Sequence, residues 1–203
     1  MSVIEIVDSY NVKNAKVYGA FESFRRAKFP MSVDVDSLNT DLTAGIENLA
    51  KSAPGAGHDN FLNGIVVQFD LTFTIKAWTE AERYHFFDFV SSQSTMHRIA
   101  KFKGDKYIHY VDERIKVIMD EKIREYNAMA PDDLSRAKKY LEILYSNPCG
   151  MFLTAGMTTN YRQLKTIYNQ RRTHRLPEWR DFCKWIEGLP YAHLITGENL
   201  KTD

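Results

Sequence analysis

Val67, Phe69, Leu71, Phe73 and Ile75 alternate with Gln68, Asp70, Thr72, Thr74 and Lys76. A period of two puts the apolar set on one face of a strand and the polar set on the other. Residues 64–78 therefore predict a half-buried strand, the strongest in the chain. A second strand signal covers 2–12, where Val3, Ile4, Ile6 and Val7 cluster. Residues 14–30 suit a short helix stopped by Pro30. Residues 42–50 suit another, with Ile46 and Leu49 as its apolar stripe. The stretch "PGAGHDN", 54–60, is a loop by its Pro and Gly content.

After the strong strand the period lengthens. Residues 79–102 predict a helix, with Thr79 as N-cap and Glu82 three positions on, as in a capping box. Residues 112–129 predict an amphipathic helix with Ile115, Ile118, Met119 and Ile123 inward. Another covers 132–147 and stops at Pro148. A short strand fits 150–159, a helix fits 157–175, and a last helix lies between Pro177 and Pro190. There is no internal repeat. Strands and longer helices without regular alternation indicate an α+β fold, and residues 1–203 read as one domain.

Composition narrows the partners. The chain has 203 residues, 44% apolar and 26% charged, with a formal net charge of only +1. That balance argues against a protein that holds DNA mainly by its overall charge, and no nucleic-acid partner is expected, while a local basic site stays open. The apolar runs are too short and too interrupted for a membrane helix. The start "MSVIEIVDSYNV" has no signal-peptide core, which implies a cytoplasmic protein whose two cysteines, Cys149 and Cys183, are free thiols. Cys149, in "NPCGMF", has the Pro-Cys order of cysteine-dependent thymidylate synthases. Without further likeness it reads as a small buried residue after a helix stop. His85, His97 and His109 have no spacing suited to a metal, and no metal site is predicted.

The helix "MTTNYRQLKTIYNQRRTHR" is unusually rich in amides and guanidiniums. Asn160, Leu164, Ile167, Arg171 and Arg175 share one face, and Arg162, Thr166, Asn169 and Thr173 a neighbouring one. Its arginines either pair with acidic neighbours or line a cleft. In a cleft, arginine offers a planar fork to phosphate or a uracil-like carbonyl edge, and asparagine offers both donor and acceptor to a heterocycle.

"TTNYRQLKTIYNQR" resembles the C-terminal signature of the flavin-dependent thymidylate synthases, in which Asn-x-Arg opens a helix and a further Arg follows. Asn160, Arg162 and Arg171 stand at those positions, and Pro148 is in register with a proline before that helix. Upstream, "GHDNFLNGIVVQFDLTFTIKAWTEAERYHF" is similar to the family's Gly-His loop, strand and following helix at Gly57, His58, Leu71, Thr72, Phe73, Lys76 and Arg83. "SSQSTMHR" is similar to its substrate loop at Gln93, Ser94 and, with two residues inserted, Arg98. The resemblance runs in pieces from Gly57 to Arg175.

The resemblance implies a mixed or antiparallel sheet with flanking helices and a homotetramer whose sites draw on several subunits. It also implies methylation of dUMP at C5, with methylenetetrahydrofolate as carbon donor, FAD as hydride carrier and NADPH as its reductant. On it, Arg171 is the catalytic residue at the pyrimidine edge, and Arg83, Gln93, Ser94 and Arg98 join it in holding substrate. His58, Asn160, Arg162 and Asn169 face the flavin. Blander roles stand beside these: Asn160, Ser94 and His58 as caps, Arg83 paired to Glu80 or Asp88, and Arg172 and Arg175 solvated or facing phosphate.

The sequence departs from the family where its Arg-His-Arg group stands, which here is Phe87-Asp88-Phe89. Further departures are Asn63-Gly64, Tyr84, Leu144 and Arg175. Lost cations imply flavin binding that is weak or absent. Transfer of another C5 group, such as hydroxymethyl, and a non-enzymatic relative binding a nucleotide or protein partner remain as alternatives.

Overall fold

The computed structural model describes residues 3–53, 56–102 and 105–197. Five strands, β1 (Val3–Glu5), β2 (Val12–Tyr18), β3 (Val66–Thr74), β4 (Phe87–Ser92) and β5 (Phe152–Asn160), form one sheet in the order β1-β2-β3-β5-β4. Every pairing is antiparallel. The helices are α1 (Ala20–Ala27), α2 (Ala44–Ala50), α3 (Ile75–Ala81), α4 (Thr95–Arg98), α5 (Glu113–Ala128), α6 (Arg136–Ser146), α7 (Tyr161–Arg171), α8 (Pro177–Glu187) and α9 (His193–Thr196). The α+β expectation holds. Of the loop read at 54–60, Pro54 and Gly55 lie outside the described residues. Among the described residues no helix is long and apolar enough to cross a membrane.

The alternation in β3 does what its period requires. Val67, Phe69, Leu71 and Phe73 are buried, and with Ala155, Met157 and Thr159 of β5 they face α7 and α8. Phe182 of α8 packs on Phe69 and Phe73, and Trp179 meets Phe73 edge-on at 4.9 Å. Each such buried aromatic or aliphatic side chain contributes roughly 1.5–3 kcal/mol of transfer free energy. The opposite face is polar: Thr72 and Thr154 share a 2.8 Å hydrogen bond across the strands, and Asn14 donates to Asp70 at 2.7 Å. A smaller core of Ile99, Tyr107, Met119, Ile143 and Met151 lies under α5 and α6.

Several boundaries differ from the sequence expectation. The strand at 2–12 is split, and β2 extends to Tyr18, displacing the first turns of the helix expected at 14–30. The helix after β3 starts at Ile75, because the Thr74 hydroxyl, not that of Thr79, accepts the Ala77 N–H at 3.2 Å. Thr79 instead donates to the Lys76 carbonyl within the helix. The helix expected through 102 stops at Ala81, and 87–92 is the edge strand β4. Phe87, 3% exposed, gains more from the aromatic core beside Phe69 and Phe182 than from a helical register. On α5 only Met119 is buried; Ile115 and Ile118, expected inward, are 41% and 49% exposed. The helix expected from 157 begins at Tyr161, and its first residues complete β5.

The cysteines correct a second expectation. Cys149 is exposed, whereas Cys183 is buried on α8 and its thiol is pushed up to about 12 by burial, with Glu187 adding to the effect. A thiolate is the reactive form. A thiol-specific reagent at neutral pH should therefore modify one cysteine quickly in the folded protein. Cys149→Ser should abolish that phase, and persistence of the phase would mean that α8 opens.

Candidate functional site

β5 runs directly into α7, and the junction builds a site. Asn160 ends the strand with extended backbone and caps the helix, its Oδ1 accepting the Gln163 N–H at 2.9 Å. A cap of this kind contributes about 1 kcal/mol and fixes the direction of the first turn. Arg162, Gln163, Thr166 and Asn169 then follow along one helix face at helical spacing. They line a cavity of about 230 Å³ together with Asp59, Asn63, His85, Phe86, Asn160 and Lys165.

The floor is a buried charge cluster. Asp59 is 2% exposed, yet carries two cations: Lys165 Nζ at 2.9 Å from Oδ2 and Arg162 Nε at 3.2 Å from Oδ1. Lys165 also donates to the carbonyls of Ala50 at 2.7 Å and Ser52 at 2.9 Å. All three protons of the ammonium group thus have acceptors, so its burial leaves no donor unsatisfied. Together these bonds tie α7 to the end of α2 and to the loop that carries His58.

The structure brings together Asn160, Arg162 and Asn169. His58 lies elsewhere: it lines a separate cavity of about 710 Å³ with Ser23, Arg26, Met31, Leu49 and Phe61. Gln93 sits past the far end of β4, where its side chain accepts the Thr154 N–H at 2.9 Å and prolongs the ladder to β5. Ser94 precedes α4 and makes no side-chain cap bond; Arg98 ends that helix and is exposed. Thr159 pairs with Phe87 near the cavity, and Thr154 meets Gln93, so the two groups are about 16 Å apart along the strand at ~3.3 Å per residue. Arg83 is exposed in the turn after α3.

Arg171 has a different environment. Its guanidinium donates to Glu80 Oε2 at 2.8 Å and to the Tyr84 hydroxyl at 2.7 Å, and it lies over the rings of Trp179 at 4.9 Å and Tyr84 at 5.4 Å. Both charged side chains are mostly buried, 14% and 15% exposed. Burial alone would raise the Glu80 carboxyl. The Lys76 hydrogen bond and the charges of His174 and Arg171 outweigh it and hold the group below the ordinary carboxylate range. Arg171 is thus engaged by residues of its own chain, while Arg172 is exposed beside Tyr168.

Of the three residues replacing the family's cationic group, Phe87 is in the core, Asp88 is exposed, and Phe89 lies 4.9 Å from Trp78 on the outer surface. Sequence reasoning missed Asp59, Gln163, Lys165, His85 and Phe86. Lys165 alone carried a signal: beside Leu164 and one turn from Tyr161 and Tyr168 it falls on the apolar face, where a cation needs a partner.

The flavin-dependent thymidylate synthase ThyX of Helicobacter pylori, complexed with FAD and dUMP, superposes over 97% of this chain and 99% of its own, with a TM-score of 0.64 at 14% identity. A second structure of ThyX from that organism, also with FAD and dUMP, gives 0.65 over 92% and 96% at 14% identity. The UMP/dUMP methylase PolB of Streptomyces cacaoi, bound with 5-Br dUMP, gives 0.56 over 95% and 92% at 16% identity. The chain has the fold of the flavin-dependent thymidylate synthases. No family model matches the sequence, and no curated protein matches it.

Proposed function

We propose that this protein is a divergent flavin-dependent enzyme acting at C5 of a pyrimidine nucleotide, with transfer of a one-carbon unit from methylenetetrahydrofolate to dUMP as the leading reaction. The observation that carries this reading is the convergence of Asn160, Arg162 and Asn169 on one cavity at the head of α7, within a fold shared by an enzyme solved with FAD and dUMP. When bound, reduced FAD would supply the hydride and NADPH would restore it. The chain's own part is to bind and orient. Amides at 160, 163 and 169 suit the alternating carbonyl and N–H groups of a uracil or isoalloxazine edge, and a guanidinium beside them stabilises charge developing on a ring oxygen.

The residues fit a ring better than they fit a diphosphate. Arg162 and Lys165 are the cations lining the cavity, and both are paired to Asp59. Two cations against one carboxylate leave a single formal positive charge, which suits charge on a ring oxygen better than a multiply charged phosphate, and we assign the phosphate to other groups. Gln93, Ser94 and Arg98 are our candidates, and their distance along β4 means that a second copy of the chain would bring them to the site. Exposed Ile115, Ile118, Leu141 and Tyr145 on α5 and α6 offer apolar surface for such an assembly. A second reading, a nucleotide- or partner-binding relative without catalysis, is favoured by Phe87, which fills the core where the family places a cation.

Incubation with FAD, NADPH, methylenetetrahydrofolate and dUMP, followed by mass spectrometry of the nucleotide, tests both. A methylated product supports the first reading, and a hydroxymethylated one the close variant. Arg162→Ala and Arg98→Ala should each be inactive, and mixtures of the two should recover part of the activity if sites are shared. Tight dUMP binding with no product of any kind would favour the second reading.

A further inference from the structure

We propose that Phe86 is the platform on which one planar ring of the ligand stacks. The ring class is one with an imide edge, such as uracil or isoalloxazine. The inference rests on the cavity being the ligand site argued above.

Phe86 is placed at a cost and without a visible return in packing. Its φ is 59°, in the left-handed region that bulky L residues avoid. Its side chain is 65% exposed. Tyr191 is the informative contrast: its φ is 57°, but its ring packs on Phe24 at 5.1 Å, so core contact offsets the strain. Among the described residues, Phe86 enters no ring–ring contact, whereas its neighbour Phe87 packs on Phe69, Phe182, Trp179 and Tyr84. Backbone strain that brings no gain in side-chain packing points toward function.

The strained turn is also pinned. The Thr159 hydroxyl donates to the Phe86 carbonyl at 2.6 Å, and Thr159 pairs with Phe87 in the sheet. The next residue is Asn160, the cap of α7. One short stretch of β5 thus positions both Phe86 and Asn160, which line the same cavity with Gln163.

The polar side of this cavity defines the ring. Asn160 uses its carbonyl oxygen on the Gln163 N–H, which leaves its amide N–H groups for a ligand. The side-chain nitrogen of Gln163 is buried and has no hydrogen-bond partner. An imide edge offers carbonyl, N–H and carbonyl in sequence, which two amide donors and an amide oxygen complement. The cavity, about 230 Å³, falls short of the roughly 300 Å³ at the lower end for whole ligands. It suits one ring, with the remainder of the nucleotide or cofactor outside.

Phe86→Asn removes the ring but tolerates the left-handed conformation, and Phe86→Tyr keeps a ring. Affinities for FAD and for dUMP, titrated separately by calorimetry, and the unfolding midpoint should be measured for both variants and the parent. The asparagine variant should keep or raise the midpoint and weaken one of the two ligands by about tenfold or more, as expected for loss of ring stacking. The tyrosine variant should bind like the parent, and the ligand that weakens identifies the ring. Parental affinity for both ligands in Phe86→Asn would overturn the platform while leaving the cavity as the site. A markedly lowered midpoint would overturn it by making Phe86 a packing residue. If the parent binds neither FAD nor dUMP, the reading of the cavity fails and the platform falls with it.

Discussion

Lys165→Met should destabilise the protein by about 3–5 kcal/mol, the range for removing one member of a buried ion pair. Lys165 is 9% exposed and Asp59 2%. Without the ammonium, Asp59 keeps only Arg162, whose side chain is 35% exposed, and the carbonyls of Ala50 and Ser52 lose a donor. The methionine fills similar volume, so the loss is electrostatic and not a cavity effect. Against a total stability of typically ~5–15 kcal/mol, a change of this size moves the urea midpoint far. Lys165→Met with Asp59→Asn should recover much of the loss, because the uncompensated charge is then gone. A single-variant cost under about 1 kcal/mol would mean that water reaches Asp59 and that the floor of the cavity is wet. The same bonds anchor the loop between the two cavities, so ligand affinity should fall with stability in this variant.

The sequence disclosed most of the frame. The period of two in β3 marked a central strand and its buried face, because one side of that strand meets α8 and the other meets polar groups. Asn160, Pro148, Pro177 and Pro190 marked helix ends, since caps and prolines act locally. What failed was decided by distant partners. Phe87, Phe89 and Val90 favour a strand locally, but the six residues 87–92 sit inside a longer stretch read as one helix, and pairing with β5 decides between the two. The apolar set on α5 was legible, but which way it pointed was not. Ile115 and Ile118 face outward although their spacing suits a core.

The candidate site was legible in part for the same reason. Asn160, Arg162 and Asn169 lie on one helix, and their convergence follows from helical spacing alone. Asp59 reaches Lys165 across more than a hundred positions of chain, and Phe86 lies in a turn whose carbonyl is held by Thr159, a distant residue of β5. No local pattern announces such pairings. Likewise, helical spacing groups Arg171 with Asn160 on one face, but the acidic partner that turns it inward belongs to α3.

Arg171→Ala should cost about 3 kcal/mol or more in stability, whereas Arg172→Ala, at an exposed position over the Tyr168 ring, should cost about 1 kcal/mol or less. The alanine removes the bonds to Glu80 and Tyr84 and the cation over Trp179, and it leaves the mostly buried Glu80 carboxylate to Lys76, His174 and the Trp179 indole N–H. Arg171→Lys keeps the charge but loses the planar fork that serves Glu80 and Tyr84 together, so it should fall between parent and alanine. The pH dependence has a definite sign. Glu80 is held below its ordinary range in the folded state, so its stabilisation is fully present above the unfolded carboxyl pKa. It is lost as pH falls through the lower folded value. The acid limb of the parent's stability curve should therefore be steeper than that of Glu80→Gln. Calorimetric dUMP affinity measured on the same variants separates this structural role from a ligand contact. If Arg171→Lys unfolds at the parental midpoint yet loses dUMP, the guanidinium leaves Glu80 to meet the nucleotide, and the pairing seen here is a resting state of the site.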